Sequence, residues 1–406
     1  MIRYGMVGVG GFAETWARSL QMLEEKGIAR LAAAAERRTE PCAAQIAALR
    51  ARGCAIYTSL DEMLAAERGA LDVIGLPVGI AQHEPLATRL MQAGYPVVVE
   101  KPVAGTIQEV DRLITVERQT GRWCAVDYQW LHSPTIQWLR QRIAAGALGA
   151  VREGRTVIGW PRAASYYARN AWAGQLRDGA AWVLDGPATN ATAHYLTNVL
   201  YLLAAQPGGS LEIASVRAEL YRAKPIPSYD TACIEVRMAC GARLLHLSSH
   251  SVSESIEPVM TLEGERGVAS WRSGDDTALI RYADGREESF STPDPAYNHA
   301  RSLEQAARVA AGQDPKPICG LAEGRPHVLT INLAFESSGT PRQIASEYIA
   351  ERRAGDGSAL VVITGMEQVL FTAYQQGAMF SDLGLPWASP SPSISAAGYT
   401  HYPRNN

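Results

Sequence analysis

The chain has 406 residues, of which 47% are hydrophobic and 19% charged, and a formal net charge of -3. That length exceeds one ordinary core of roughly 100–200 residues and predicts two domains. The composition excludes a disordered chain, the slight acidity gives no footing for nucleic acid, and no uncharged apolar run reaches the ~20 residues of a membrane span.

Met1 leads straight into a strand pattern with no basic-then-apolar leader, which points to the cytoplasm. Ile2–Val9 reads as a strand and Ala13–Gly27 as a helix with Trp16, Leu20 and Leu23 on one face. A strand over Ala29–Glu36, a helix over Pro41–Arg52, a short strand at Ala55–Tyr57 and a short helix at Leu60–Arg68 follow. Leu71–Leu76 is a strand stopped by Pro77; then come a helix (Glu84–Ala93), a strand (Pro96–Glu100), a helix (Thr106–Thr120) and a strand (Trp123–Tyr128). Strands alternating with helices predict a parallel sheet covered on both faces, a Rossmann domain over residues 1–125. A helix at Pro134–Ala145 opens the second domain, residues 126–406. From Glu212 to Ser291 period-2 alternation predicts a large, mainly antiparallel sheet, with Asp284-Gly285 as a hairpin turn. Residues 300–312 and 325–337 read as a C-terminal helical extension, and Ser389–Ser393 as irregular chain. The fold class is therefore α/β plus α+β. Six scattered cysteines without a CxxC pair predict neither a disulfide framework nor a metal site.

Gly8-Val9-Gly10-Gly11-Phe12-Ala13 has the GxGxxG/A spacing between a strand and a helix. Gly8 suits the tight turn, Gly10 lets backbone approach a pyrophosphate, and Ala13 lets helix and strand pack closely. Gly11 and Phe12 lie at the helix N-terminus, whose free N–H groups favour phosphate. Glu36 follows the second strand, 23 residues after Ala13, where an acid holds the adenosine ribose and disfavours a 2′-phosphate. This favours NAD, while the adjacent Arg37 and Arg38 leave NADP open.

Further along, the chain resembles the glucose–fructose oxidoreductase / inositol dehydrogenase (Gfo/Idh/MocA) family. The matching features are the glycine loop, Leu76-Pro77 with His83 six residues on, Ala93-Gly94 before Pro96-Val97-Val98-Val99-Glu100-Lys101-Pro102, Gly146-Ala147-Leu148-Gly149, and Gly264-Glu265-Arg266-Gly267. The resemblance spans roughly residues 2–340. It implies reversible hydride transfer between NAD(P) and a hydroxyl of a sugar or cyclitol. It also places Pro77, His83, Glu100 and Lys101 beside the cofactor, with Lys101 reaching the reacting centre. The residue type agrees: a partly desolvated lysine at the carboxyl edge of a parallel sheet can donate to a hydroxyl.

Family members commonly carry an acid and a histidine four residues apart in a D-x-G-x-H segment. Asn190-Ala191-Thr192-Ala193-His194 keeps the spacing with Asn for the acid, while a register from Asp185 keeps the acid and loses the histidine. His194 is the candidate base, because histidine titrates near neutral pH, and Asp185 or Asn190 takes the acidic position. Asn190, His194, Thr197 and Tyr201 form a polar helical stripe expected to face a cavity or another protein surface. Arg162, Tyr167, Arg169, Asn170 and Trp172 combine aromatic faces with donors and are the candidate substrate wall; an ordinary packed loop or an oligomer contact is the alternative. His246, Ser248 and His250 alternate on one strand face and are assigned to a subunit contact. A broad sheet needing its second face covered predicts a homodimer or homotetramer. Two other functions stay open: glycoside cleavage by transient oxidation on NAD, and a non-catalytic dinucleotide-binding sensor.

Overall fold

A computed structural model describes residues 1–404. The chain forms two compact units whose limits differ from a single cut near residue 125. The first joins Met1–Ala104, Glu109–Ser133 and Asp294–Arg325; the second joins Gly105–Gln108, Pro134–Pro293 and the chain from Pro326 onward.

In the first unit the predicted alternation appears as β1 (Ile2–Val7), α1 (Ala13–Glu25), β2 (Ala29–Ala35), α2 (Ala43–Ala51), β3 (Ala55–Tyr57), α3 (Leu60–Ala66), β4 (Val73–Leu76), α4 (His83–Gln92), β5 (Val97–Val99), α5 (Ile107–Thr120) and β6 (Cys124–Val126). All pairings are parallel, in the order β3-β2-β1-β4-β5-β6. That order reverses between β1 and β4, so the loops after their carboxyl ends flank the crevice where such sheets take ligands. Gly75 of β4 leaves room for Trp16: a Cβ there would stand 2.4 Å from Trp16 Cζ3. Trp16, 2% exposed, joins Tyr4, Leu20 and Leu23 in the core.

That core is completed from far along the chain. Tyr297, Ala300, Leu303, Ala306 and Ala307 belong to the same cluster, and Tyr4 Oη donates to the Leu303 carbonyl at 2.7 Å. These residues lie in or beside a helix that the sequence reading placed in the second domain and that belongs to the first unit.

The second unit contains α6 (Pro134–Ala144), β7 (Val151–Gly159), α7 (Ala164–Ala168), the small hairpin β8 (Arg177–Asp178) and β9 (Ala181–Trp182), and α8 (Ala193–Leu203). Then come β10 (Ile213–Arg222), β11 (Thr231–Met238), β12 (Arg243–Ser249), β13 (Ile256–Gly264), β14 (Gly267–Arg272), β15 (Thr277–Tyr282) and β16 (Glu287–Ser291). After these, α9 (Asn298–Ala310) is the helix that packs in the first unit, and α10 (Leu321–Ser338) precedes β17 (Arg342–Gln343), β18 (Ile349–Arg353), β19 (Ala359–Ile363), α11 (Met366–Gln376) and β20 (Ile394–Ser395).

Ten strands form one mixed sheet, ordered β16-β15-β14-β13-β7-β12-β11-β10-β17 with β20 beside β10. The β15–β16 hairpin turns at Gly285, whose φ is +86°. Strand β7, which the alternation search did not find, runs through the middle, parallel to β12 and antiparallel to β13.

The two faces of β7 meet different helices. A Cβ on Gly154 would stand 2.5 Å from Val199 of α8, whereas Val157, on the opposite parity, clusters with Met366 and Leu370 of α11. The second face over β10, β11, β12 and β7 is thus covered by the chain's own C-terminal residues, including Ile363, Phe380 and Trp387. This corrects the expectation that a second copy must cover it.

Helix α8 is buried along its whole length. At the Tyr201 end of its polar stripe, Gln137 of α6 donates to Tyr201 Oη at 3.2 Å, and Arg140 lies over the Tyr201 ring.

Candidate functional site

The glycine loop runs from the end of β1 into α1. Gly8 has φ +87°, a left-handed conformation that favours glycine, and lies beside Val78 and the Pro77 carbonyl of the loop after β4. A Cβ on Gly10 would stand 3.0 Å from Cys42 Sγ. Glu36 ties this loop down: its carboxylate accepts from Val9 N–H at 3.0 Å and Arg38 N–H at 2.8 Å. Each oxygen keeps a second lone pair, so the carboxylate can also accept from a ribose hydroxyl. Arg37 and Arg38 are exposed. The Phe12 ring is exposed at the start of α1 and meets His299 edge-on at 6.1 Å. Open backbone at Gly10 and Gly11, a helix N-terminus and a fixed acid together fit a dinucleotide.

At the end of β5, Lys101 is half-buried, and its neighbours hold its backbone in place. Glu100 accepts from Trp16 Nε1 at 2.7 Å and from Lys101 N–H at 3.1 Å. His83 is fully buried, with Nδ1 2.8 Å from the Pro102 carbonyl and Nε2 3.1 Å from the Val78 carbonyl. It thus bridges the loop after β4 to the Lys101-Pro102 turn. Burial holds its pKa below the usual histidine range. Asp127, after β6, faces Glu100, and burial followed by their mutual contact pushes the Glu100 carboxyl well up. Burial raises Asp127 as well, against the opposing pull of Ser302, His299 and Lys101.

In the second unit, Asp185 Oδ1 accepts from Asn190 Nδ2 at 2.9 Å, and Oδ2 accepts from Gly174 N–H at 2.7 Å. The two registers that compete for the acidic position therefore meet in space. His194 lies in the first turn of α8, 7% exposed, with Tyr195 edge-on to it. Tyr195 in turn packs edge-on against Trp160. Tyr167 Oη lies 3.2 Å from Nδ1 of His250, and Tyr166 meets the same imidazole edge-on. Arg162 and Arg169 both lie over the Tyr166 ring, at 4.8 and 3.6 Å from its centre.

Comparison with known proteins joins these features. A family model for Gfo/Idh/MocA proteins, described as an oxidoreductase family with an NAD-binding Rossmann fold, matches residues 2–128. The model of that family's C-terminal domain matches residues 136–270. The chain belongs to the Gfo/Idh/MocA family. Among curated relatives, a dTDP-3,4-didehydro-2,6-dideoxy-α-D-glucose 3-reductase of Streptomyces violaceoruber is 33% identical over 25% of this chain and 29% of its own length. UDP-N-acetylglucosamine 3-dehydrogenase of Acidithiobacillus ferrooxidans is 29% identical over 34% of this chain and 41% of its own. The chain thus spans less than half the length of these curated relatives. Among solved structures, the WlbA dehydrogenase of Bordetella pertussis, in complex with NADH and UDP-GlcNAcA, aligns with a TM-score of 0.67 at 23% identity, over 83% of this chain and 96% of that one. That likeness establishes the fold.

Within this Gfo/Idh/MocA chain, several residues expected at the ligand are buried against the protein itself. His83 was expected at the cofactor; with no exposed surface and both nitrogens on backbone carbonyls, it positions the Lys101 turn instead. Glu100 is 7% exposed and likewise supports the turn from beneath. Asn170 Oδ1 accepts from Trp172 and Ala173 N–H at 3.2 and 2.8 Å, so that oxygen shapes the loop. His246 and His250 are buried inside the protomer, not in a subunit contact; His246 Nε2 lies 3.2 Å from Thr192 Oγ1. Sequence reasoning missed Trp16, Asp127, His250, His299 and Ser302. Asp127 had a readable signal: a lone charge in the apolar run Trp123–Tyr128, at the carboxyl end of a parallel strand. Among the described residues no helix is long and apolar enough to cross a membrane, and no group of His, Cys, Asp and Glu could hold a metal ion. Five of the six cysteines are buried and all are free thiols.

Proposed function

We propose that the protein is an NAD-dependent oxidoreductase acting reversibly on a hydroxyl of a sugar or cyclitol. The observation that carries this is the half-buried Lys101, fixed at the carboxyl edge of the nucleotide-binding sheet by Glu100, Trp16 and His83. Gly8, Gly10, Gly11, Phe12 and Ala13 would hold the pyrophosphate, Glu36 the adenosine ribose, and Pro77 the wall beside Gly8. Arg37 is the neighbour that would admit a 2′-phosphate if NADP were taken instead.

The bound nicotinamide supplies the hydride acceptor. The chain's own residues do the rest. His194 takes the hydroxyl proton as the C–H bond breaks and the carbonyl forms. Lys101 donates to the same oxygen and stabilises the charge that grows on it. Asp185 and Asn190, joined by their hydrogen bond, orient the neighbouring hydroxyls. Tyr167, Arg169, Arg162, Asn170 and Trp172 form the substrate wall. Assembly into a homodimer or homotetramer would use the outer strands β13–β16, whose second face carries the exposed Val268 and Arg281. Work in the cytoplasm fits this reading.

The test is titration of the purified protein with NAD(H) and NADP(H), followed by a sugar and cyclitol panel read as reduced-cofactor absorbance. Binding with substrate-dependent reduction is expected, NAD being preferred. Binding without reduction on any substrate would remove the dehydrogenase activity, and absence of binding would remove the cofactor.

A further inference from the structure

The substrate wall carries more positive charge than a neutral sugar would use. Arg162 lies over Trp160 and Tyr166, and Arg169 over Tyr166 and Trp172. Arg169 Nη1 donates to the Tyr166 carbonyl at 2.6 Å. Among the described residues, neither guanidinium pairs with a carboxylate; the ion pairs of this part of the chain belong to Arg152, Arg155 and Arg217. A third cation, Lys224, is 4% exposed and already saturated by the His250 carbonyl (2.9 Å), Ser251 Oγ (2.7 Å) and the Val361 carbonyl (2.8 Å). Two acids stand nearby. Asp185 is engaged by Gly174 N–H and Asn190, and Asp230 by the N–H groups of Ala223 and Lys224 and by Thr231 Oγ1.

Two buried nitrogens in this cluster also lack partners. Arg162 Nε is buried with no hydrogen-bond partner. His250, 2% exposed, has Nδ1 beside Tyr167 Oη and a buried Nε2 with no partner. Burial, then the charges of Arg162, Lys224 and Arg169, hold its pKa well down, so the ring is neutral. Burial keeps the Tyr167 phenol protonated, with its Oη 3.2 Å from Nδ1. When the phenol donates to Nδ1, the single ring proton sits on Nε2 as a donor. A sugar hydroxyl could accept from such groups, but it brings a proton that needs an acceptor of its own. An oxyanion only accepts, and it neutralises the charge.

We propose that Arg162, Arg169 and His250 bind an oxyanion of the substrate, a carboxylate or a phosphate, so that the sugar oxidised is an acidic one. This rests on the dehydrogenase reading above and names its substrate class. His250 is a positioning and binding residue here, where the sequence assigned it none.

The experiment compares kcat/KM of the full-length protein on hexuronates, sugar phosphates and nucleoside diphosphate sugars with that on the matching neutral hexoses. Arg162→Met and Arg169→Met are measured alongside. Acidic substrates are expected to be preferred, and each substitution to lower the acidic-to-neutral ratio by roughly 10–100-fold, mostly through KM, as for loss of a charge-assisted hydrogen bond. Preference for uronates identifies the carboxylate, and preference for the phosphorylated sugars the phosphate. Equal turnover of neutral sugars, or equal losses on both classes in the variants, overturns the proposal. If no sugar is oxidised, the dehydrogenase reading has failed. Quenching of tryptophan fluorescence by glucuronate or glucose 1-phosphate then decides on its own: saturable quenching lost in Arg162→Met supports the oxyanion site, and no quenching overturns it.

Discussion

At the glycine loop the groups offered to a ligand are backbone N–H groups, and the side chains that matter are those that are missing. At the proposed substrate wall, residues 160–174 with His250 just beyond β12, they are side chains: two guanidiniums on an aromatic platform, a phenol and an imidazole. The first surface is fixed by the sheet and a helix terminus, which constrain every residue nearby. The second is set by the identity of five or six residues on a loop. One surface therefore has little freedom to change its ligand, while the other can be rewritten without disturbing the fold.

Substitutions should separate the two surfaces. The largest effect is expected for Lys101→Ala, which should lower turnover about 10²–10⁴-fold while NAD binding changes little. Near-normal turnover in steady-state kinetics would take Lys101 out of the chemistry and leave the first unit as a cofactor holder only. Next comes acid stability, which both units share. Burial depresses His83 and His250, His132 to about 4 and His246 to about 3. An unfolded histidine takes its proton near pH 6.5, and these folded ones do not. Stability is therefore full above that pH and falls below it, for His132 and His246 by about 1 kcal/mol per pH unit each down to their own pKa. The raised carboxyls of Glu100 and Asp127 work in the opposite sense. Thermal melts from pH 7.5 to 5 should show a steep drop in Tm before ordinary carboxylates titrate; a flat profile would mean that these imidazoles are open to water. The smallest effect is expected for Gly8→Ala. A Cβ at φ +87° costs about 1–2 kcal/mol, read as a roughly 5–30-fold weaker Kd for NAD with catalysis on saturating cofactor nearly intact. An unchanged Kd would show that the turn tolerates side chains and blur the contrast between the surfaces.

The same contrast governs what the sequence could disclose. Alternating strands and helices, the glycine spacing and Glu36 were legible because they follow from backbone geometry over short stretches. The EKP segment located Lys101, but nothing local showed that Trp16 or Asp127 would hold its neighbour Glu100, since these meet only after β1, β5 and β6 align. Strand β7 escaped notice because both its faces are covered and its inward positions include Gly154, so strict alternation is lost. His246 and His250 read as a sheet face covered by a partner subunit. The covering of that sheet by residues beyond Ile344 depends on contacts from more than a hundred residues away.

Helix α9 carries a consequence for how the molecule is made. The core around Tyr4, Trp16 and Leu20 is closed by residues 297–307, whereas the parallel sheet is complete by Val126. At a synthesis rate of about 5–20 residues per second, the ribosome spends roughly ten to thirty seconds between these points. During that interval an otherwise finished nucleotide-binding sheet displays an apolar flank with nothing to cover it. The nascent chain is thus an expected client for a holding chaperone, with the demand ending once α9 emerges.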